Sequence, residues 1–346
     1  MNFIRYYLLP LAISLSIVSA PITEPVNSSP HITVMLGGDT LIIGGVKNAL
    51  VREGYDAVIS SALAKKFREA DIAMLNLEMA VSDRGEPMED KEYTFRASPT
   101  HLDLLEHMGV NAVSVANNHT MDYGETAFLD TLKHLSNAGI AAVGGGKNLE
   151  EASAFHVFEV QERKVGILAA SRVVPSVSWY ARNNKPGMLT TYDPALLNSA
   201  IGEAKEVCDF VIVYVHWGVE RNTEPEPYQR QLARGYIDAG ADAVIGTHPH
   251  VPQGFEIYKD KPIAYSLGNF IFTSSHPDTL AVRLNLTDDE IWMEVLPCRI
   301  VSPYVSLTEE QDKIASALKK LENISFDVVI DKDGRVRSKT DADTSR

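Results

Sequence analysis

The segment Val244-Ile245-Gly246-Thr247-His248-Pro249-His250 sets two imidazoles one residue apart, directly after an apolar run with β character. Two imidazoles at the end of a strand can ligate a metal cluster if other elements bring further donors to the same place. Candidate donors recur along the chain. Asp39 follows the apolar residues 32–36 across two glycines, Glu78 follows residues 72–77, Asn118-His119 follow residues 112–116, and His216 ends residues 210–215. A carboxylate, amide and imidazole set without thiolates suits Mn²⁺, Fe²⁺ or Zn²⁺ better than Ca²⁺, and it removes the usual structural-zinc reading. One or two such ions bridged by a carboxylate would clamp and activate a water.

Singly, each signal has a packing explanation. A strand-end Asp often caps a turn, Asn117-Asn118 suit a turn because Asn tolerates left-handed backbone, and a histidine after a strand can be a satisfied core residue. Yet of ten histidines, His119, His216, His248 and His250 all follow predicted strands, in the kind of position that also carries Asp39 and Glu78. In an α/β sheet the loops at the carboxyl ends of strands converge, so residues distant in sequence meet there.

The elements that must position these residues are readable from periodicity. Helical patterns cover residues 59–70, 100–108 with Thr100 as N-cap and Gly109 as stop, 125–137, 194–207 and 228–239. Antiparallel pairs are expected at 155–160 with 164–170, at 255–258 with 263–266, and at 279–286 with 291–296. The polar stretch 81–97 and the irregular stretch 173–189 are long enough to be loops over a site. A helix and a last hairpin around residues 331–334 close the chain, which shows no internal repeat of fixed period.

At 346 residues and 45% hydrophobic content the chain can bury the core of one large domain. Against 32 basic residues stand 46 acidic ones, a formal net charge of -14. That balance argues against nucleic acid as a partner, because polyanions are held by clustered Lys and Arg. An anionic substrate must therefore meet a local cationic patch or a metal. Residues 1–20 read as an export signal or N-terminal anchor, with Arg5, an apolar run and Val18-Ser19-Ala20 as a cleavage site. The proline- and serine-containing residues 21–31 read as a linker, and Cys208 and Cys298 as buried free thiols.

Taken together, Gly38-Asp39, Asn76-Leu77-Glu78, Ala116-Asn117-Asn118-His119, Asp122-Tyr123-Gly124, His216-Trp217-Gly218, Gly246-x-His248-Pro249-His250-Val251-x-Gln253 and Tyr265-Ser266-Leu267-Gly268-Asn269-Phe270 resemble the motifs of CapA-type poly-γ-glutamate capsule synthesis proteins. That family is similar to calcineurin-like metallophosphoesterases. The resemblance implies an α/β fold in which a two-layered mixed β-sandwich is flanked by helices, occupying residues 32–305, with residues 306–346 as a C-terminal extension.

It also implies roles. Asp39 and His250 would hold one metal, Asn118, His216 and His248 the other, and Glu78 would stand where the phosphoesterases place a bridging Asp. His119, beside Asn118, would stabilise charge or protonate a leaving group. Leu41 stands where those enzymes have a histidine, so one position would lose a ligand, and Thr247 likewise replaces a common His. Arg96, Lys185 and Arg221 are candidates for gripping substrate carboxylates, since guanidinium pairs with them bidentately. The motifs add Asp122, Glu220 and Asn269 as further substrate contacts.

The expected function is a divalent-metal-dependent hydrolase acting on the amide of poly-γ-glutamate or another anionic envelope polymer. It would work outside the cytoplasmic membrane, beside membrane-bound capsule synthesis proteins. The alternatives are a metal-dependent phosphoesterase and a non-catalytic component of the capsule machinery.

Overall fold

The computed structural model describes residues 31–340. The expected export signal, and the expected linker up to residue 30, lie outside the described residues, as do residues 341–346. Fourteen strands, numbered here in chain order, build the two main sheets: β1 Ile32–Thr40, β2 Ile72–Leu77, β3 Ala112–Ser114, β4 Ala141–Val143, β5 His156–Val160, β6 Arg163–Ser171, β7 Phe210–His216, β8 Ala243–Thr247, β9 Phe255–Tyr258, β10 Lys261–Ala264, β11 Asn269–Ile271, β12 Asp278–Leu286, β13 Ile291–Val301 and β14 Tyr304–Leu307.

The first sheet runs β14-β13-β12-β1-β2-β3-β4, with β11 pairing β1, and the second runs β9-β10-β8-β7-β6-β5. Both are mixed. The β1 to β4 pairs are parallel and β12 is antiparallel to β1, while β6, β7 and β8 are parallel with antiparallel strands at the margins.

The sheets stack because successive side chains on a strand point to opposite faces. On β7, Ile212 and Tyr214 face inward and join Leu36, Leu75 and Val113 of the first sheet in one core. Val211, Val213 and Val215 face outward and pack on Leu197 and Ile201 of helix Ala195–Val207 and on Ala233 and Tyr236 of helix Pro227–Asp238. Burial on both faces explains why β7 reads as an unbroken apolar run. Helices Ser61–Arg68 and Gly124–Asn137 pack against the first sheet. The architecture is the two-layered mixed β-sandwich with flanking helices that the sequence led us to expect.

Local differences have local causes. Thr100 is not an N-cap, because Pro99 starts a 3-10 turn over Pro99–Leu102 that runs into helix Asp103–His107, and proline suits a first helical turn. The first helix after β1, Gly44–Glu53, escaped periodicity because it opens on two glycines and buries only Val46. Cys208 and Cys298 are buried free thiols, and burial pushes Cys298 up to about 12.

Beyond β14, helix Gln311–Asn323 and the hairpin Val328–Ile330 with Val336–Ser338 place Leu318, Leu321, Val328, Ile330 and Val336 in the main core. This tail touches both sheets: Phe326 N donates to Phe255 O of β9 (2.8 Å) and Val295 N of β13 donates to Gly334 O (2.8 Å). Among the described residues no helix is long and apolar enough to cross a membrane.

Backbone also crosses backbone where the site will form. Asp39 N donates to Gly268 O at 2.9 Å, and a Cβ on Gly38 would lie 1.8 Å from that same oxygen. Gly38→Ala is therefore expected to lower stability by about 1–3 kcal/mol or more through overpacking. Denaturant unfolding of the purified chain would check it, and an unchanged midpoint would contradict the crossing.

Candidate metal centre

The register of the parallel strands aligns the donors. Asp39 lies opposite Asn76 across β1 and β2, and His216 opposite Thr247 across β7 and β8. The carboxyl ends of the two sheets then meet. Asn76 Nδ2 donates to Asp39 Oδ1 (2.8 Å) and sits 3.3 Å from His216 Nδ1. Thr247 Oγ1 lies 3.1 Å from the same Nδ1, which leaves His216 Nε2 to face Asn118 Oδ1 at 2.8 Å and Glu78 Oε1 at 3.5 Å.

His248 Nδ1 approaches His216 Nε2 to 3.1 Å, and His250 Nδ1 lies 3.3 Å from Asp39 Oδ2. Ligand atoms of Asp39, Glu78 and His216 all lie within 4.8 Å of one another, as do those of Glu78, His248 and His250. Glu78 belongs to both groups, as a bridging carboxylate would.

Glu78 is fully buried, and neither of its carboxylate oxygens has a hydrogen-bond partner among the described residues. A buried polar atom without a partner is costly and calls for an explanation. Here the oxygens are ringed by imidazoles, and a divalent cation fits that donor set. Burial, and then the neighbouring Asp39, hold the Glu78 carboxyl well above its usual range. Burial keeps His216 well below its ordinary value and His248 at about 4, so both offer lone pairs. Burial also opposes a charge on His250, yet Glu78 and Asp39 outweigh it and push that imidazole up to about 10.

The loop that carries the histidine pair is strained. His248 has φ of 97° and His250 has φ of 61°, left-handed backbone that costs a non-glycine residue on the order of 1–3 kcal/mol. Asp39 Oδ2 accepts from His248 N (3.2 Å) and Asn269 Oδ1 meets His250 Nδ1 (2.9 Å), which holds both in place.

His119 stands beside this cluster, its Nδ1 2.7 Å from Asp122 Oδ2 and its ring 4.3 Å from the Phe95 ring. Burial lowers its pKa. Asn117 fixes the turn, donating to Asn76 Oδ1 (3.0 Å) and Leu77 O (2.8 Å) and accepting from His119 N (3.0 Å).

Asp39, Glu78, Asn118, His216, His248 and His250 are thus brought together, with His119 adjacent. Several expected substrate contacts are not where the sequence reading put them. Arg96 donates to Arg84 O (3.0 Å) and Gly85 O (2.9 Å) and stacks on Tyr123, bracing a loop. Lys185 pairs with Glu125 at 3.2 Å on the surface. Asp122 is buried behind His119, and Asn269 backs His250, so both orient histidines.

Glu220 and Arg221 are exposed at the rim, and the charge of Glu220 is felt by Glu78 and His250. Leu41 is buried in the core and brings no donor. The sequence reading missed Lys91, whose Nζ donates to Asn118 O (2.5 Å), lies 3.0 Å from His119 Nδ1 and pairs with Asp122. It lies in the run Glu89-Asp90-Lys91-Glu92, which has the look of a solvated loop.

The two-layered mixed sandwich and its buried carboxylate–histidine cluster make this an α/β protein with residues compatible with divalent metal binding. Residues 33–274 match the family described as bacterial capsule synthesis protein PGA_cap, and the chain belongs to that family. It is similar to the PGA biosynthesis protein CapA of Bacillus subtilis, 35% identical over 240 residues that cover 68% of this chain and 62% of that protein. It is also similar to the capsule biosynthesis protein CapA of Bacillus anthracis, at 30% identity over 81% of this chain and 70% of the relative. A probable polyglutamine synthesis accessory protein of Mycobacterium tuberculosis shares 31% identity over 78% of this chain and 85% of its own length. The match thus spans less than two thirds of the B. subtilis protein. Among solved structures, Haemophilus influenzae NAD nucleotidase aligns with a TM-score of 0.48 at 11% identity, over 86% of this chain and 57% of that one.

Two outcomes are expected. Glu78→Gln should weaken Mn²⁺ binding by more than roughly 100-fold, beyond the effect of changes outside the ligand set, and isothermal titration would read it. In metal-free protein, the raised His250 pKa contributes stability that is fully present below its ordinary 6.5 and is lost as pH rises through about 10. Denaturation midpoints should therefore fall across that window, and less steeply in His250→Asn.

Proposed function

We propose that this chain is an exported, divalent-metal-dependent hydrolase that cleaves the amide of poly-γ-glutamate during capsule biosynthesis at the cell envelope. The observation that carries the reading is Glu78, whose two buried oxygens have no hydrogen-bond donor among the described residues, at the centre of the histidine cluster. Family membership supports the capsule context, and the names of the B. subtilis and M. tuberculosis relatives support a glutamate or glutamine polymer. Residues 1–20 support export.

Asp39, Glu78, Asn118, His216, His248 and His250 would hold one or two ions of Mn, Fe or Zn, with Glu78 shared. When bound, the metal supplies Lewis acidity and a water acidic enough to act near neutral pH. His119, held at Nδ1 by Asp122, keeps Nε2 free to hand a proton to the nitrogen that leaves as the amide C–N bond breaks. Phe95 covers one face of that ring and limits its rotation. With a net charge of -14 the protein cannot attract a polyanion by bulk charge, so recognition has to be local, at the cation and at rim residues such as Arg221.

The test is metal analysis of the purified protein, followed by incubation with poly-γ-glutamate and with a panel of phosphoesters. Shortening of the polymer, reduced roughly 10²–10⁴-fold in His119→Ala, is the expected result. Turnover of phosphoesters alone would replace the amide with a phosphoryl substrate. A metal-loaded protein inert toward both would be a binding component of the capsule machinery.

A further inference from the structure

Residues 83–95 form a loop whose ends are pinned by the short paired strands Ala80–Val81 and Arg96–Ala97. It contacts the site turn in several places. Met88 N donates to Asp122 O (2.7 Å), Phe95 N donates to Asp122 Oδ2 (2.7 Å), and the Phe95 ring lies on His119. Between them Lys91 reaches inward, its side chain only 15% exposed.

The Lys91 ammonium sits on the turn at residues 118–122: it donates to Asn118 O and pairs with Asp122 Oδ1, and it lies 3.0 Å from His119 Nδ1, whose own N–H goes to Asp122 Oδ2. The Trp179 ring, from the second loop, closes over it at 5.2 Å. Asp122 is a fully buried carboxylate, and a buried charge needs a partner of opposite sign. Here that partner also grips the backbone of an expected metal ligand and touches the expected proton donor.

We propose that Lys91 is a positioning residue. By tying Asn118 O and Asp122, the partner of His119 Nδ1, to one ammonium, it holds the Asn118 amide and the His119 ring toward the ligand cluster. The loop at residues 83–95 is then a working part of the site. This rests on the metal reading above for its effect on affinity, and on geometry alone for its effect on His119.

The experiment compares full-length Lys91→Met and Lys91→Arg with the surface control Lys185→Met. It measures thermal midpoint, Mn²⁺ affinity, and the carbon-bound ring protons of His119 by NMR in metal-free protein, assigned with His119→Asn. Lys91→Met should lose roughly 10–100-fold in Mn²⁺ affinity, as outer-shell changes do. Its His119 signals should also lose the ring-current shift imposed by Phe95. Lys91→Arg should recover most of both, and Lys185→Met should alter neither. A purely structural lysine would lower the midpoint and leave affinity and His119 shifts as they were, which overturns the proposal. If the unmodified protein binds no Mn²⁺, the metal reading falls and the His119 shifts decide the positioning role by themselves. Should Lys91→Met fail to fold, the double variant Lys91→Met, Asp122→Asn removes the stranded charge and is read against Asp122→Asn alone, so that the difference between the two reports Lys91.

Discussion

Asp39 and Glu78 sit fully buried where the carboxyl ends of the two sheets meet, offset among the described residues by the Asn76 amide, the His248 N–H, nearby imidazoles and, at longer range, Lys91. Two carboxylates in so dry a place repel each other and lose their hydration. The surrounding structure answers that problem. His250 lies against both carboxylates, which raise its pKa, burial lowers the pKa of His216 and His248, and the resulting donor set fits a divalent ion. Stability at this join therefore depends on how those buried charges are balanced.

That arrangement needs close backbone approaches. Gly38 lets β1 pass against Gly268, and Gly246 lets β8 pass against Tyr265, whose carbonyl would be 2.0 Å from an added Cβ. Beyond that crossing the chain turns through left-handed backbone at His248 and His250, and the imidazoles come to face each other and Asp39. The tight packing of the glycines and the strain in the histidines belong together: rigid crossings hold a loop that would otherwise relax away from its functional shape.

Much of this was legible in the sequence for a specific reason. Strands buried on both faces leave continuous apolar runs, and polar residues directly after such runs stand out, which is how Asp39, Glu78, Asn118, His216, His248 and His250 could be collected before any geometry was known. Residues on loops gave no such contrast. Arg96 and Lys185 have the right charge for a carboxylate, but charge does not reveal direction, and the chain uses them to brace a loop and pair with Glu125. Lys91 is the reverse case: surrounded in sequence by acids, it reads as solvated, and only the fold turns it inward. Thr100 lost its capping role to a neighbouring proline for an equally local reason.

The tail after β14 has a consequence of another kind. Strand β9 is the last in its sheet, and such a strand ordinarily presents a row of unpaired amides and carbonyls to any chain that comes near. In this protein Phe326 bonds to Phe255 along that margin, Ser325 Oγ accepts from Phe255 N at 2.8 Å, and Gly254 admits Ile324 so closely that a Cβ there would touch its carbonyl at 2.0 Å. The tail therefore works as a selvage: it takes up backbone groups where the margin of the second sheet begins, which a neighbouring chain would otherwise meet.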